Sequence, residues 1–267
     1  MSGIEWRKRT VTSNGVSLAV RESSGEGPAV IFLTGLGTPQ SVWSRVAERI
    51  SGEHRVITFD YRGHGRSGVA GEYSFDLLLD DVSAVLDATD ARNPLLCGWS
   101  LGADLAVWHA AGHSDVHHVI ALDGGIPAEP VAAEADWMDS WRARLLGGLA
   151  RMFGAGVRMS TGELLALTDE LHERRRSILD AYARVSCPVE VVLAETPNDA
   201  VAAGRTEGGT GQVSDETWRA GAHRLAAAYP NVPIRWLESD HAMPIRVPHR
   251  IADLIAGAFH PQQPGGD

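Results

Sequence analysis

The chain has 267 residues, 44% of them hydrophobic and 22% charged, and a formal net charge of −10. That length suits one large domain or two small ones and buries roughly 70–75% of the unfolded surface, so no disulfide or metal staple is required. The composition excludes disordered, collagen-like and coiled-coil chains, and the acidic balance argues against nucleic-acid binding, which needs a basic footprint.

The first ten residues are polar, carry Arg7, Lys8 and Arg9, and lead into no apolar stretch. No apolar run nears the ~18 residues of a membrane span, so neither a secretory signal nor a membrane helix is expected. Alternating residues on either side of Asn14-Gly15 predict a hairpin. From Pro28 the pattern changes to short apolar runs without alternation: Ala29 to Leu33, Val56 to Phe59, Leu95 to Cys97, Val119 to Leu122 and Val189 to Ala194. Such runs suit strands buried on both faces of a parallel sheet. Helical spacing fills the intervals at Ser41 to Ile50, Leu101 to Ala111, Ser214 to Tyr229 and Pro248 to Phe259, and Ser74 is a candidate N-cap for the helix that starts at Phe75. This alternation predicts a doubly wound α/β sheet with an antiparallel edge at its start.

One stretch breaks the rhythm. Residues 127–185 contain no convincing strand and hold Trp137, Met138, Trp141, Met152, Phe153 and Met159 between glycine pairs. The reading is a helical insertion dividing a core of residues 1–126 and 186–267. It serves either as ordinary core helices or as a lid over an apolar pocket, which Met and Trp suit. Two cysteines, Cys97 and Cys187, cannot build a disulfide framework, which points to a reducing, cytoplasmic setting.

The most informative stretch is Leu95-Leu96-Cys97-Gly98-Trp99-Ser100-Leu101-Gly102-Ala103. It reads as an apolar strand, then Gly-x-Ser-x-Gly, then an Ala-rich helix. A serine on so tight a turn is held out for attack, and the helix behind it aims its N-terminal amides at developing negative charge. Two further signals follow strands in turn: Thr34-Gly35-Leu36-Gly37-Thr38, and Asp60-Tyr61-Arg62-Gly63-His64-Gly65-Arg66-Ser67.

With these three motifs in this order, the sequence resembles the α/β-hydrolase superfamily over about residues 10–125 and 186–260. The resemblance implies a mostly parallel eight-stranded sheet and a serine–acid–histidine triad with an oxyanion hole. It makes Ser100 the nucleophile and gives the oxyanion hole to the backbone N–H groups of Leu36 and Leu101. Thr34 stands where many members have His, and His64 falls in the family's structural loop. The family's base follows the last strand, here Ile234 to Leu237, which makes His241 the base, with Asp240 before it where Gly is commoner.

The acid stays open between two places. After the strand ending at Ala194 the family shows Gly-x-x-Asp, whereas this chain has Ala194-Glu195-Thr196-Pro197, with Asp199 two residues late and Glu195 close to the strand end. After the preceding strand comes Asp123-Gly124-Gly125, a placement that haloalkane dehalogenase relatives share, and Asp123 is favoured. Trp99, Trp137 and Trp141 are candidate pocket residues.

A serine nucleophile with a histidine base means acyl transfer followed by hydrolysis. The expectation is a monomer or small homo-oligomer acting on a small to medium, mostly apolar ester, lactone or thioester, with no metal and no organic cofactor. Carbon–carbon bond hydrolysis or cofactor-free haloperoxidase-like chemistry would use the same residues. A small-molecule receptor of this fold with slow turnover is the non-enzymatic alternative.

Overall fold

The computed structural model describes residues 4–128, 157–196 and 210–260. Within them, eight strands form one sheet in the order β1-β2-β4-β3-β5-β6-β7-β8. The strands are β1 (Trp6–Ser13), β2 (Val16–Ser23), β3 (Ala29–Leu33), β4 (Arg55–Phe59), β5 (Leu95–Trp99), β6 (His118–Leu122), β7 (Val189–Ala194) and β8 (Ile234–Leu237). β1 and β2 pair antiparallel through a turn in which Asn14 and Gly15 both take positive φ, at 45° and 79°. β2 meets β4 antiparallel, and every later pairing is parallel. β1 begins at Trp6, earlier than the alternating pattern suggests, because its whole length pairs with β2.

β3, β5 and β7 are buried at every position, which is why their sequences run apolar without alternation. Alternate residues divide between two cores. Val30, Phe32, Leu95 and Cys97 face α1 (Ser44–Ile50) and α8 (Pro248–Phe259). Ile31, Leu33, Leu96 and Val119 face α2 (Phe75–Thr89), α3 (Leu101–Gly112), α4 (Thr161–Arg176), α5 (Ile178–Tyr182) and α6 (Thr210–Ala228). Each fully buried Leu, Ile or Val contributes roughly 1.5–3 kcal/mol. A short helix, α7 (Met243–Arg246), precedes α8, and a 3-10 turn at Gln40–Trp43 leads into α1. Ser74 caps α2, its hydroxyl accepting from the Leu77 N–H at 3.2 Å.

α4 and α5 lie between β6 and β7 and join the core through Leu164, Leu167, Leu171 and Ile178, and also through charge. Arg175 of α4 reaches Asp104 of α3 at 2.7 Å, both buried. Arg174 pairs with Asp76 at 2.6 Å, and the Glu170 carboxylate accepts from the Phe75 N–H at the start of α2. Trp137, Trp141, Met152 and Phe153 lie outside the described residues. Among the described residues no helix is long and apolar enough to cross a membrane.

Candidate active site

The parallel strands deliver their loops to one rim of the sheet, where α/β sites form. Ser100 follows β5 there with φ 55° and ψ −119°, a backbone region that costs a non-glycine residue on the order of 1–3 kcal/mol. The surroundings hold it: its N–H donates to the Leu122 carbonyl at 2.9 Å, and its own carbonyl accepts from Ala103. The two motif glycines make the turn sterically possible. A Cβ on Gly98 would lie 2.0 Å from the Gly102 carbonyl oxygen, and one on Gly102 would lie 2.2 Å from that of Leu33.

The turn after β3 rests on the serine, since a Cβ on Gly35 would lie 3.3 Å from the Ser100 Cβ. Two of its amides have partners within the protein. Thr38 N–H donates to the Gly35 carbonyl at 3.2 Å, and Gly37 N–H donates to His64 Nε2 at 3.0 Å. Leu36 lies between Gly35 and Gly37. Leu101 occupies the first position of α3, where an N–H has no acceptor within its own helix.

His64 is fully buried and fixes this turn. Nε2 accepts from Gly37 while Nδ1, 2.9 Å from the Arg62 carbonyl, donates to it, and burial pulls the imidazole below its ordinary range toward the neutral form. Its loop is anchored in turn by the buried pair Arg62–Asp81 at 2.6 Å. The Asp60 carboxylate accepts from the N–H groups of Gln40 and Arg66. The sequence Asp60 to Ser67 thus works as a bracket under the Gly35–Thr38 turn.

His241 follows β8. Its Nδ1 lies 2.5 Å from Oδ2 of Asp123, which is wholly buried at the end of β6, while the imidazole side chain is 31% exposed. The structure therefore brings together the two residues that the sequence placed after different strands. Asp123 has φ 45°, and its backbone N–H donates to the Val192 carbonyl at 2.8 Å. Its other carboxylate oxygen accepts twice, from the Ala194 N–H at 3.1 Å and from Nε1 of Trp218 at 3.0 Å. Three N–H donors around one carboxyl match the acceptor-only inventory of a carboxylate. Gly125, just beyond, donates to Asp104 and accepts from the Tyr182 hydroxyl, which ties the Asp123 turn to α3 and α5. Burial pushes the Asp104 carboxyl up, against the opposing pull of Arg175.

The loop carrying His241 is held from several sides. Trp99 Nε1 donates to the His241 carbonyl at 2.6 Å, and the two rings lie 5.3 Å apart. Trp99 is 4% exposed and packs on the face of β5 shared with Leu95 and Cys97, so this candidate pocket residue sits as a support beneath the histidine. Asp240, in a place where Gly is commoner in the family, accepts from the Ala242 N–H and from Arg246 Nε and so steadies α7. Glu195 is exposed beside its own turn, and Asp199 lies outside the described residues. Trp218 gives no local signal in the sequence: it stands within a helix, and only the tertiary fold carries it to Asp123. Among the described residues, no group of three or more His, Cys, Asp or Glu is placed to hold a metal ion.

Comparison with known proteins agrees with this architecture. The chain is 35% identical over 131 residues to 3-oxoadipate enol-lactonase 1 of Acinetobacter baylyi, covering 49% of this chain and 47% of that protein. It is 28% identical over 148 residues to the pimeloyl-[acyl-carrier protein] methyl ester esterase of Aeromonas hydrophila, covering 55% and 56%. The chain thus spans about half the length of the curated relatives it matches. In structure it resembles E-2-(acetamidomethylene)succinate hydrolase, with a TM-score of 0.73 at 22% identity over 96% of this chain and 100% of that one. The enol-lactonase from Burkholderia xenovorans gives 0.70 at 20% identity over 94% and 100%. At these identities the structural likeness speaks for the fold alone. The sequence model of the alpha/beta hydrolase fold matches residues 28–265, and the chain belongs to that family.

Proposed function

We propose that the protein is a serine hydrolase that cleaves a small to medium, mostly apolar ester, lactone or thioester through an acyl-enzyme. The observation that carries this reading is the 2.5 Å contact between His241 Nδ1 and the buried Asp123 carboxylate at the rim where Ser100 emerges. With Nδ1–H donating to Asp123, Nε2 is the nitrogen left to accept a proton. Ser100 Oγ attacks the carbonyl carbon as its proton passes to Nε2. The resulting oxyanion accepts from the N–H groups of Leu36 and Leu101. Collapse breaks the bond to the alcohol, enol or thiol, and the imidazolium returns its proton to that leaving group. A water molecule, deprotonated by His241, then attacks the acyl carbon, and the carboxylic acid departs from the regenerated serine.

The names of the relatives, an enol-lactonase and methyl ester esterases, support ester and lactone substrates. The expected lid of residues 127–185, with Trp137 and Trp141 as candidate pocket residues, belongs to the same proposal. A panel of p-nitrophenyl esters and lactones, neutral and carboxylated, tests it with Ser100→Ala as control. Turnover by the wild-type protein and its loss in the variant are expected, whereas equal hydrolysis by Ser100→Ala would refute the nucleophile.

A further inference from the structure

Trp218 contacts Asp123 on the side away from His241. Its Nε1–H donates to Oδ1 at 3.0 Å, while His241 holds Oδ2. A carboxylate that must orient an imidazole has two freedoms to lose, rotation about its Cβ–Cγ bond and displacement along the rim. Ala194 N–H alone would leave the first partly open. The indole N–H, arriving from α6 rather than from the sheet, gives Oδ1 a second fixed donor.

The indole is itself held. The Arg175 guanidinium carbon lies 5.4 Å from the Trp218 ring centroid, and Arg175 is anchored on the buried Asp104 through 2.7 Å and 3.0 Å contacts. A desolvated cation over an indole face is worth more than an exposed one. The order is Asp104, Arg175, Trp218, Asp123, His241, with each neighbour in direct contact. The first lies on α3 behind the nucleophile, and the second lies on α4, the helix inserted between β6 and β7.

We infer that Trp218 is a positioning residue for the triad acid, fixing the Asp123 carboxylate through Oδ1 so that Oδ2 holds His241 in the tautomer that accepts the serine proton. This inference rests on the proposed hydrolase reading. The N–H also draws charge from the carboxylate. Without it, the carboxylate loses one fixed donor on Oδ1, and its negative charge concentrates toward the Nδ1–H side of the imidazole. Among the described residues, the charged groups near this cluster include Arg175 and Asp104 on the α4 side, Arg219 over the Trp236 ring beside Glu195, and the pair Asp240–Arg246 beside the histidine loop. Trp218→Phe leaves each of them in place.

The test measures kcat, KM and the pH profile of kcat/KM for Trp218→Phe on one activated ester. Removal of one hydrogen bond to a charged group predicts a fall in kcat of roughly tenfold or more with KM unchanged. The acid limb of the profile should move. Replacement of the indole by 3-benzothienylalanine, which keeps the bicyclic shape and lacks the N–H, should reproduce both effects and covers the case in which the phenylalanine variant does not fold. Unchanged kcat with an unmoved acid limb would overturn the inference. So would a rise in KM at constant kcat, which marks a pocket wall. Ser100→Ala separates the two levels: an active Ser100→Ala protein defeats the hydrolase reading, while an inactive one beside an unaffected Trp218→Phe defeats only the role of Trp218.

Discussion

Replacing Asp123 by Asn puts the strongest demand on the site, because the structure dictates which way the amide must turn. The native carboxylate receives two N–H donors on Oδ1, from Ala194 and Trp218, and one on Oδ2, from His241. An asparagine has one oxygen and one NH2 group. If its oxygen faced His241, the NH2 would face the N–H groups of Ala194 and Trp218 and take their acceptor away, at about 1–3 kcal/mol for the buried Ala194 N–H. If its oxygen keeps the two donors, the NH2 faces Nδ1 and the imidazole shifts its proton to Nε2. The second arrangement wins, and it presents Ser100 with a nitrogen that cannot take a proton. The expected loss in kcat is therefore of the size seen when a serine-protease triad is forced into the wrong tautomer, ~10⁴-fold, or about 5.4 kcal/mol of barrier. KM should change little, and stability should fall by about 1–2 kcal/mol as three charge-assisted bonds become neutral ones. The assay is kcat on one activated ester beside a urea melt, with Asp199→Asn in parallel. If Asp123→Asn stays within about tenfold of wild type while Asp199→Asn is crippled, the reasoning is wrong and the acid follows β7.

Two further predictions concern what surrounds the site. Asp104→Ala strands the guanidinium of Arg175, 6% exposed, without its carboxylate, and should cost about 3–5 kcal/mol in chemical denaturation; a loss below about 1 kcal/mol would mean that water already reaches the pair. Burial pulls His54, His64, His109 and His118 below the ordinary imidazole range, His109 and His118 to about 4. The unfolded chain then binds more protons below about pH 6.5, so this stability is present above that value and declines as pH falls toward the folded-state values. The raised carboxyls of Asp104 and Glu190 act with the opposite sign, nearer their own range. The urea midpoint should be lower at about pH 5.5 than at about pH 7.5, and equal midpoints would show that these histidines are not held neutral.

What could be read from the sequence depended on how local each constraint is. The parallel strands were legible because burial on both faces leaves no polar alternation, as in β5 and β7. The elbow was legible because two backbones approach too closely for any Cβ, which forces glycine at Gly98 and Gly102. The start of α4 carries a local signal too: Ser160 and Glu163 form a capping box, a short-range pattern at the right spacing. Trp99 stands next to Ser100 in sequence, which by itself suggests a pocket residue. Strand alternation instead turns it to the opposite core, where it supports His241. Pro197 in the usual acid position favours Asp123 over Asp199, and the Asp123 carboxylate lies 2.5 Å from the His241 imidazole. Trp218 and the Asp104–Arg175 pair had no such handle. Each joins segments 71 or more residues apart, and nothing in either segment marks the other.

The central claim is that Ser100 is a nucleophile activated by His241. Treatment with a fluorophosphonate, followed by intact mass and peptide mapping, tests it most directly. The account predicts one adduct per chain on the peptide containing Ser100, absent in Ser100→Ala and formed far more slowly in His241→Ala. An adduct on another residue, or labelling of His241→Ala at the wild-type rate, would contradict it.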